Sequence, residues 1–177
     1  MVTVEPIDVV RRRRVVTATE SYIARAGKLL GRSFAAIPVL FDLAGRAAGM
    51  YRVNQGGRVI RYNPYLFAKA FADHLATTVP HEVAHYITDM VHGWRNVRPH
   101  GAEWQALMVA FGAEPSRTCA YDLAGVPLRT QRRHAYRCGC TTHHLTSRRH
   151  NQVRRGAMRY YCRHCGEQLI PADGQAP

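Results

Sequence analysis

The chain has 177 residues, of which 46% are hydrophobic, enough for one ordinary domain with a small additional module. The net charge is +13, and arginine supplies nearly all of the positive charge. This excess favours an anionic partner, nucleic acid before membrane, because a guanidinium pairs with phosphate through two hydrogen bonds. A merely solvated basic surface is the alternative interpretation.

Two features bear on cellular location. The sequence has no run of the roughly 20 apolar residues that a membrane-spanning helix needs. In the N-terminal stretch MVTVEPIDVVRRRR the charges follow the apolar residues, which is the reverse of a secretory signal. We therefore expect a cytoplasmic protein without a membrane partner, associated with the nucleoid if it binds DNA.

The first predicted helix covers residues 17–30, TATESYIARAGKLL. Thr17 and Glu20 have the spacing of a capping box, and apolar residues follow at helical intervals. Residues 1–16, which include RRRR, are expected to form a separate basic segment.

Short β-branched and aromatic runs follow, IPVLFDL at 37–43 and AGMYRVNQGGRVIRYNP at 48–64. They predict two or three antiparallel strands, with NQGG as a hairpin turn. Helical periodicity returns at residues 65–79. Pro80 then either kinks this helix or lies in the first turn of a new one, because it lacks an N–H.

A further core helix is predicted after His100 and Gly101. Apolar residues recur there at i, i+3, i+4 and i+7, beginning at Trp104, and Gly112 is a natural end.

The stretch HEVAH, residues 81–85, has the spacing of a metal-binding helix. His81 and His85 lie one turn apart, so both imidazoles face one point in space, as a zinc ion requires. Glu82 is rotated by about 100° from His81. That position suits a general base acting on a water molecule at the metal.

A catalytic zinc ion usually has three protein ligands and one open position. We predict His100 as the third ligand, because it opens the next helix, which can fold back over the first. Glu103, His92 and Asp89 are competing candidates. Glu103 would give the site of another zinc peptidase class, and Asp89 could accept a hydrogen bond from a ligand. The alternative is a chance HExxH in a helix that binds nothing.

The composition changes near residue 130, since residues 123–166 contain ten arginines and five histidines but no acidic residue. We place a domain boundary there. Four of the five cysteines form two close pairs, CGC at 138–140 and CRHC at 162–165, which in a reducing compartment favours metal binding over disulfides. The fifth, Cys119, is expected to be a packed thiol.

CRHCG has the shape of a zinc knuckle. The other two zinc ligands have two candidate sets. Cys138 and Cys140 of CGC have one residue between them, whereas Cys140 and His143 have the usual two-residue gap. A closed four-ligand site would be structural, holding together a module of about forty residues that is too small to fold on its own core.

Arginine pairs lie between the two cysteine pairs, and these residues are Arg148, Arg149, Arg154 and Arg155. Tyr136, Tyr160 and Tyr161 are interleaved with them. Arginine pairs with phosphate and tyrosine stacks on unpaired bases, so we predict a DNA-binding surface, for single-stranded or junction DNA. A solvated basic face is the alternative.

These features together resemble the SprT-like zinc metallopeptidases, a family that includes the bacterial SprT proteins and the eukaryotic Spartan protease. The likeness rests on VPHEVAH, on PHGAEW with its histidine fifteen residues later, and on RYNP before the helices. The segment YRCGCTTHHLTSRRHNQVRRGAMRYYCRHCGEQLI also resembles the zinc ribbon of SprT proteins. The likeness covers residues 17–171.

The resemblance implies an α+β fold. A zincin-like peptidase domain with an HExxH helix and a small antiparallel sheet would cover residues 17–130, followed by a basic zinc ribbon over 131–171 and a tail over 172–177. It implies one catalytic zinc ion on His81, His85 and His100, with Glu82 as the base. It also implies one structural zinc ion on Cys138, Cys140, Cys162 and Cys165.

We therefore expect a zinc-dependent metalloprotease that acts on DNA-associated or DNA-crosslinked proteins, with DNA as a partner. Two other functions remain open. One is a non-catalytic zinc-ribbon protein that binds nucleic acid. The other is a regulatory zinc peptidase that cuts repressors, which would carry an acidic third ligand.

Overall fold

The computed structural model describes residues 3–116, 121–128 and 132–172. The chain divides into two compact units, with the boundary after Leu128. Every helix in the described part of the chain is too short or too polar to span a lipid bilayer. Cys119, which we predicted to be a packed thiol, lies outside the described residues.

The first unit begins with a long helix, α1 (Val9–Leu30). The Asp8 side chain caps its first turn by accepting a hydrogen bond from the backbone amide of Arg11 at 2.7 Å. Gly31, at φ 63°, ends the helix. The predicted start at Thr17 is wrong, because Asp8 provides a cap and Val15 is already buried. The four consecutive arginines thus belong to the first turns of α1.

A three-stranded sheet follows, in the order β1-β3-β2, formed by β1 (Val39–Leu40), β2 (Gly49–Asn54) and β3 (Gly57–Tyr62). The predicted hairpin turn is confirmed, since Asn54 pairs with Gly57 across it. The expectation of a wholly antiparallel sheet is wrong. β3 lies between the other two strands and pairs antiparallel with β2, as expected, but parallel with β1. β2 therefore forms an edge of the sheet.

Four helices complete the first unit: α2 (Pro64–Lys69), α3 (Phe71–Ala76), α4 (Thr78–His92) and α5 (Ala102–Ala110). The single helix predicted over 65–79 is wrong. The chain leaves the helical region at Ala70, and this break stacks His74 on Phe67 with ring centroids 4.8 Å apart. Pro80 lies in the first turn of α4, and the predicted helix after Gly101 is confirmed as α5.

Helix α4 runs through the core of the first unit, and ten of its fifteen residues are buried. Most of these are apolar or small, as expected for a helix covered on several sides. Glu82 and Asp89 are the exceptions, with 5% and 4% of their surface exposed. Buried carboxylates are costly unless they are hydrogen-bonded, so both require a specific role.

The second unit contains β4 (Arg133–Arg137), β5 (Thr142–Thr146), α6 (Ser147–Arg154) and β6 (Ile170–Pro171). Its strands form an antiparallel sheet in the order β5-β4-β6. The buried core consists of Tyr136, Leu145, Val153, Cys162 and Leu169. So small an apolar core needs an additional cross-link to be stable.

Candidate metal centres

Three histidines converge in the first unit. His81 and His85 come from successive turns of α4, and His100 comes from the turn before α5. The three Nε2 atoms form a triangle, with separations of 3.2 Å between 81 and 85, and 3.1 Å from each of these to 100. The structure thus brings together the three predicted side chains.

The triangle has the dimensions of a tetrahedral zinc site. With Zn–N distances of about 2.0–2.1 Å, two tetrahedral nitrogen ligands lie about 3.3 Å apart. Burial lowers the pKa of His81 to about 4 and that of His85 to about 3, with smaller contributions from the neighbouring histidines. Both rings are therefore neutral near pH 7, as metal binding requires.

Trp104 packs against all three histidines. Its ring centroid lies 4.8 Å from that of His81, 5.6 Å from that of His85 and 4.7 Å from that of His100. Its Nε1 donates to the carbonyl of His81 at 3.2 Å. This indole fixes the orientation of the rings from the protein side, so that the open side of the cluster faces the cleft.

His100 has an unusual backbone conformation. Among the described residues it is the only non-glycine with a positive φ, 58°. Such a conformation carries strain in a residue with a side chain. The carbonyl of His100 accepts a hydrogen bond from Gln105 Nε2 at 3.1 Å. The competing candidates Glu103 and His92 are exposed and do not belong to the cluster of described side chains that could hold a metal ion.

Glu82 lies beside the histidine cluster with its carboxylate held by the sheet. The Oε2 atom accepts a hydrogen bond from the backbone amide of Tyr51 at 2.6 Å. A Cβ atom on Gly49 would lie 2.6 Å from Oε1 of Glu82 and 2.8 Å from Thr78 Cγ2, so only glycine leaves room for the carboxylate. Burial raises the pKa of Glu82 to about 8, which favours proton uptake at this position.

Asp89 follows one turn after His85 and has a different role from the one we predicted. It accepts hydrogen bonds from the Tyr51 hydroxyl, from Arg58 Nε at 2.6 Å and from the Trp94 amide at 2.7 Å. Burial alone would raise its pKa, but these donors hold it below the usual value. Asp89 therefore binds the β2–β3 hairpin and the turn after α4, rather than a histidine ring.

A cleft of about 510 Å³ opens onto the histidine cluster and Glu82. The edge strand β2 forms one wall through residues 49–53. The opposite wall includes the turn after α4, with Trp94, Val97 and Arg98. The cleft thus places an unpaired strand edge next to a potential metal ion and a buried carboxylate.

A second cluster lies in the other unit, where one sulfur atom each of Cys138, Cys140, Cys162 and Cys165 lies within 4.8 Å of the others. Two of the separations, 3.4 Å and 3.6 Å, are near the roughly 3.8 Å between tetrahedral thiolates on zinc. Backbone amides at Cys165 and His164 lower the pKa of Cys162 to about 5, which favours the thiolate.

The alternative ligand His143 lies next to this cluster. Its Nε2 atom is 3.3 Å from the sulfur of Cys138, within hydrogen-bonding distance. The four sulfurs already suffice for a closed tetrahedral site. His143 is therefore placed to donate a hydrogen bond to a thiolate. The Glu167 carboxylate accepts a hydrogen bond from the backbone amide of Gly139 and so holds the CGC turn in place.

The predicted nucleic-acid residues lie on and after α6. All four arginines are exposed, and Arg149 lies over the ring of Tyr160 at 5.5 Å. Tyr161 is 57% exposed. The expectation that Tyr136 stacks on bases is wrong, because its side chain is fully buried in the core of the second unit.

Sequence reasoning missed three residues around the first cluster. Gly49 and Tyr51 lie in a strand distant in sequence from Glu82, and nothing in their local pattern indicates contact with it. Trp104 was recognised only as a core position of α5. Its spacing of one helical turn from His100 is the signal that could have placed it against the histidines.

Comparisons with known proteins agree with both units. The model of the SprT-like family matches residues 19–131, and that of the SprT-like zinc ribbon domain matches residues 129–173. Protein SprT of Vibrio parahaemolyticus is 39% identical over 83% of this chain and 86% of its own length. Protein SprT of Pseudomonas paraeruginosa is 37% identical over 85% and 90%, and that of Pasteurella multocida is 34% identical over 89% and 92%. No solved structure matches the chain.

Proposed function

The chain belongs to the SprT-like family, and from this premise we propose that it is a zinc-dependent metalloprotease of zincin-like fold. The observation that carries the proposal is the convergence of His81, His85 and His100 beside the buried carboxylate of Glu82. A site that only stabilised the fold would not need a carboxylate in that position. We further propose one catalytic zinc ion at this cluster and one structural zinc ion at the cysteine cluster.

A zinc ion bound by the three histidines would supply Lewis-acid activation of a water molecule and of the scissile carbonyl. Glu82 accepts the proton of the attacking water. Its Oε1 atom is the acceptor, because Oε2 is engaged by the Tyr51 amide. Glu82 then delivers the proton to the leaving amine, since a base of raised pKa can serve as the acid in the following step.

The substrate polypeptide lies in the cleft along β2. An edge strand offers backbone donors and acceptors to an extended peptide, which gives binding with little dependence on the peptide's sequence. This arrangement suits a protease with varied protein substrates. It also holds the scissile bond next to the histidine cluster, because β2 residues and the three histidines line the same cleft.

The substrates that we propose are proteins bound or crosslinked to DNA. The support is the charge of +13 and the exposed arginines of the second unit. Electrostatic binding to DNA would concentrate the protease on its substrates, and we propose that it acts in the cytoplasm at the nucleoid.

The decisive test is Glu82→Gln in the full-length protein. We expect cleavage of a DNA-binding protein to fall by at least about a hundredfold, because general acid–base catalysis is abolished, while both metal ions are retained. The assay is run with and without single-stranded DNA, and metal content is measured in parallel. Undiminished cleavage by the variant would refute the assigned base. DNA binding without cleavage by the wild-type protein would favour a non-catalytic adaptor.

DNA binding by the second unit has its own test. Replacing Arg148, Arg149, Arg154 and Arg155 with glutamine should flatten the dependence of log affinity on log salt concentration by up to about four units, one for each phosphate that is no longer neutralised. A matched control replaces four arginines of α1, at positions 11–14. An unchanged slope in the first variant would contradict the assignment of these four residues.

A further inference from the structure

The turn between α4 and α5 presents an unusual side chain at the mouth of the cleft. Trp94 is 54% exposed, although tryptophan is among the most costly side chains to leave in water. It lines the same cleft as the histidine cluster. The only other tryptophan in the sequence, Trp104, is 1% exposed and packs on the histidines.

The backbone that carries Trp94 is firmly held. Its amide donates to the buried Asp89 carboxylate at 2.7 Å, and Gly93, at φ 81°, ends α4 immediately before it. Asn96 closes the turn by donating from its side chain to the carbonyl of His92 at 2.8 Å. The exposed indole is thus presented by an ordered turn, which lowers the entropic cost of binding a ligand to it.

Two arginines lie at this end of the cleft. The Arg95 guanidinium lies 5.0 Å from the ring centroid of Trp94, and Arg98 lines the cleft beside it. Among the described residues, neither arginine takes part in an ion pair. The acidic residues that line the cleft, Glu82 and Asp89, are both buried. The accessible charge next to the indole is therefore positive.

We propose that Trp94, Arg95 and Arg98 form a binding surface for single-stranded nucleic acid at the mouth of the catalytic cleft, separate from the arginines of the second unit. A base stacks on the indole, and the neighbouring phosphates pair with the two guanidinium groups. An acidic polypeptide would need apolar and acidic side chains at matching positions to cover the indole and pair the two arginines, whereas any single strand supplies bases and phosphates in regular alternation, so the combination favours nucleic acid.

This surface deepens the proposed function, because it would bring the strand that carries a crosslinked protein next to the cleft. The inference rests on that function for its biological meaning. The binding itself requires no turnover, so it is measured in the Glu82→Gln variant. A protein that binds as described but never cleaves would refute the protease and leave this surface intact.

The experiment uses tryptophan fluorescence as a local reporter. An oligodeoxythymidylate is titrated into full-length Glu82→Gln protein, and the emission is recorded. We expect quenching, and we expect it to disappear in a second variant that also carries Trp94→Phe, because Trp104 is buried. Quenching that persists after Trp94→Phe, or no quenching in the parent protein, would overturn the inference.

Affinity is measured separately by fluorescence anisotropy of a labelled oligodeoxythymidylate. Trp94→Ala should weaken binding by about fivefold or more, and Arg95→Gln with Arg98→Gln should also flatten its salt dependence. Leu29→Ala is the matched control, since Leu29 is 51% exposed in the same unit. It should bind like the parent protein.

Polyglutamate tests the alternative ligand, an acidic polypeptide. If it shifts Trp94 emission while the oligonucleotide does not, the surface binds acidic protein segments and the proposal is wrong. Metal content and melting temperature are measured for each variant. If Trp94→Ala does not fold, Trp94→Phe and the arginine variant still decide the question.

Discussion

At the scale of single residues, the position of the carboxylate beside the three histidines depends on one glycine in the edge strand. Gly49 approaches the Glu82 carboxylate so closely that no larger residue fits without displacing it. The backbone of Gly49 is not in the left-handed region, so the restriction is one of space alone. Position 49 therefore controls where the carboxylate can lie relative to the histidines.

Gly49→Ala should reduce kcat about a hundredfold, because a displacement of about 1 Å is enough to misplace a catalytic group. Metal content should be unchanged, since the added methyl group would press on Glu82 and Thr78, which are not metal ligands. Gly56→Ala in the same hairpin is the control, because its nearest neighbour is the Asn54 side chain at 3.3 Å. The measurement is a kinetic assay with metal analysis, and full activity of Gly49→Ala would show that Glu82 can move without loss.

The site could be predicted from the sequence only where its geometry is local. His81 and His85 lie four residues apart on one helix, so their convergence follows from helical periodicity. His100 could be expected because it opens the next helix, and the resemblance implied it as well, but its left-handed backbone could not, because it results from the turn in which it lies. The contact of Tyr51 with Glu82 joins residues 31 positions apart, and no local pattern encodes it.

At the scale of secondary-structure elements, Asp89 connects three pieces of the first unit. It joins α4 to β2 through Tyr51, to β3 through Arg58 and to the turn after α4 through the amide of Trp94. Tyr51 in turn holds Glu82 through its own amide. The position of the edge strand, and with it that of Glu82, therefore depends on a carboxylate one turn beyond the histidine pair.

Asp89→Asn should lower the free energy of unfolding by about 1–3 kcal/mol, because three donors would no longer have a charged acceptor. It should also lower kcat more than it raises KM. Asp42→Asn is the matched control, since it breaks the partly exposed ion pair between Asp42 and Arg61 of β3 and should cost no more than about 1 kcal/mol. Denaturant unfolding and steady-state kinetics test both variants, and equal effects would contradict the connecting role of Asp89.

Element boundaries were predicted less well than element types, for physical reasons. Helix α1 begins at Val9 because Asp8 caps it, although Thr17 and Glu20 have the spacing of a capping box. The break at Ala70 separates α2 from α3 and brings the His74 ring onto that of Phe67, a contact between two elements. The first boundary follows from a local cap that lies outside the predicted segment, and the second from a ring contact between two helices that periodicity alone does not encode.

At the scale of the whole molecule, the two units differ in how they are stabilised. The first has an extended apolar core around α4, whereas the second has five buried residues and a four-sulfur cluster. The free energy of metal binding in such a small module is also free energy of folding. Metal removal should therefore affect the two units differently.

A strong chelator should unfold the second unit and leave the first one folded. Hydrogen exchange should show reduced protection in β4 and β5, while amides of α1 and α4 stay protected. Cys162→Ser with Cys165→Ser should reproduce this pattern without chelator, whereas His81→Ala should not. Persistent protection of β4 and β5 after complete zinc removal would show that the small apolar core is sufficient.

The strained backbone at His100 has a kinetic consequence for metal exchange. A side-chain-bearing residue at φ 58° stores about 1–3 kcal/mol, whereas the two other rings extend from relaxed turns of α4. Because release of the His100 imidazole from a bound ion would relieve that strain, this ring would dissociate before the other two. Release of the ion would then be stepwise, through a species held by the two rings of α4.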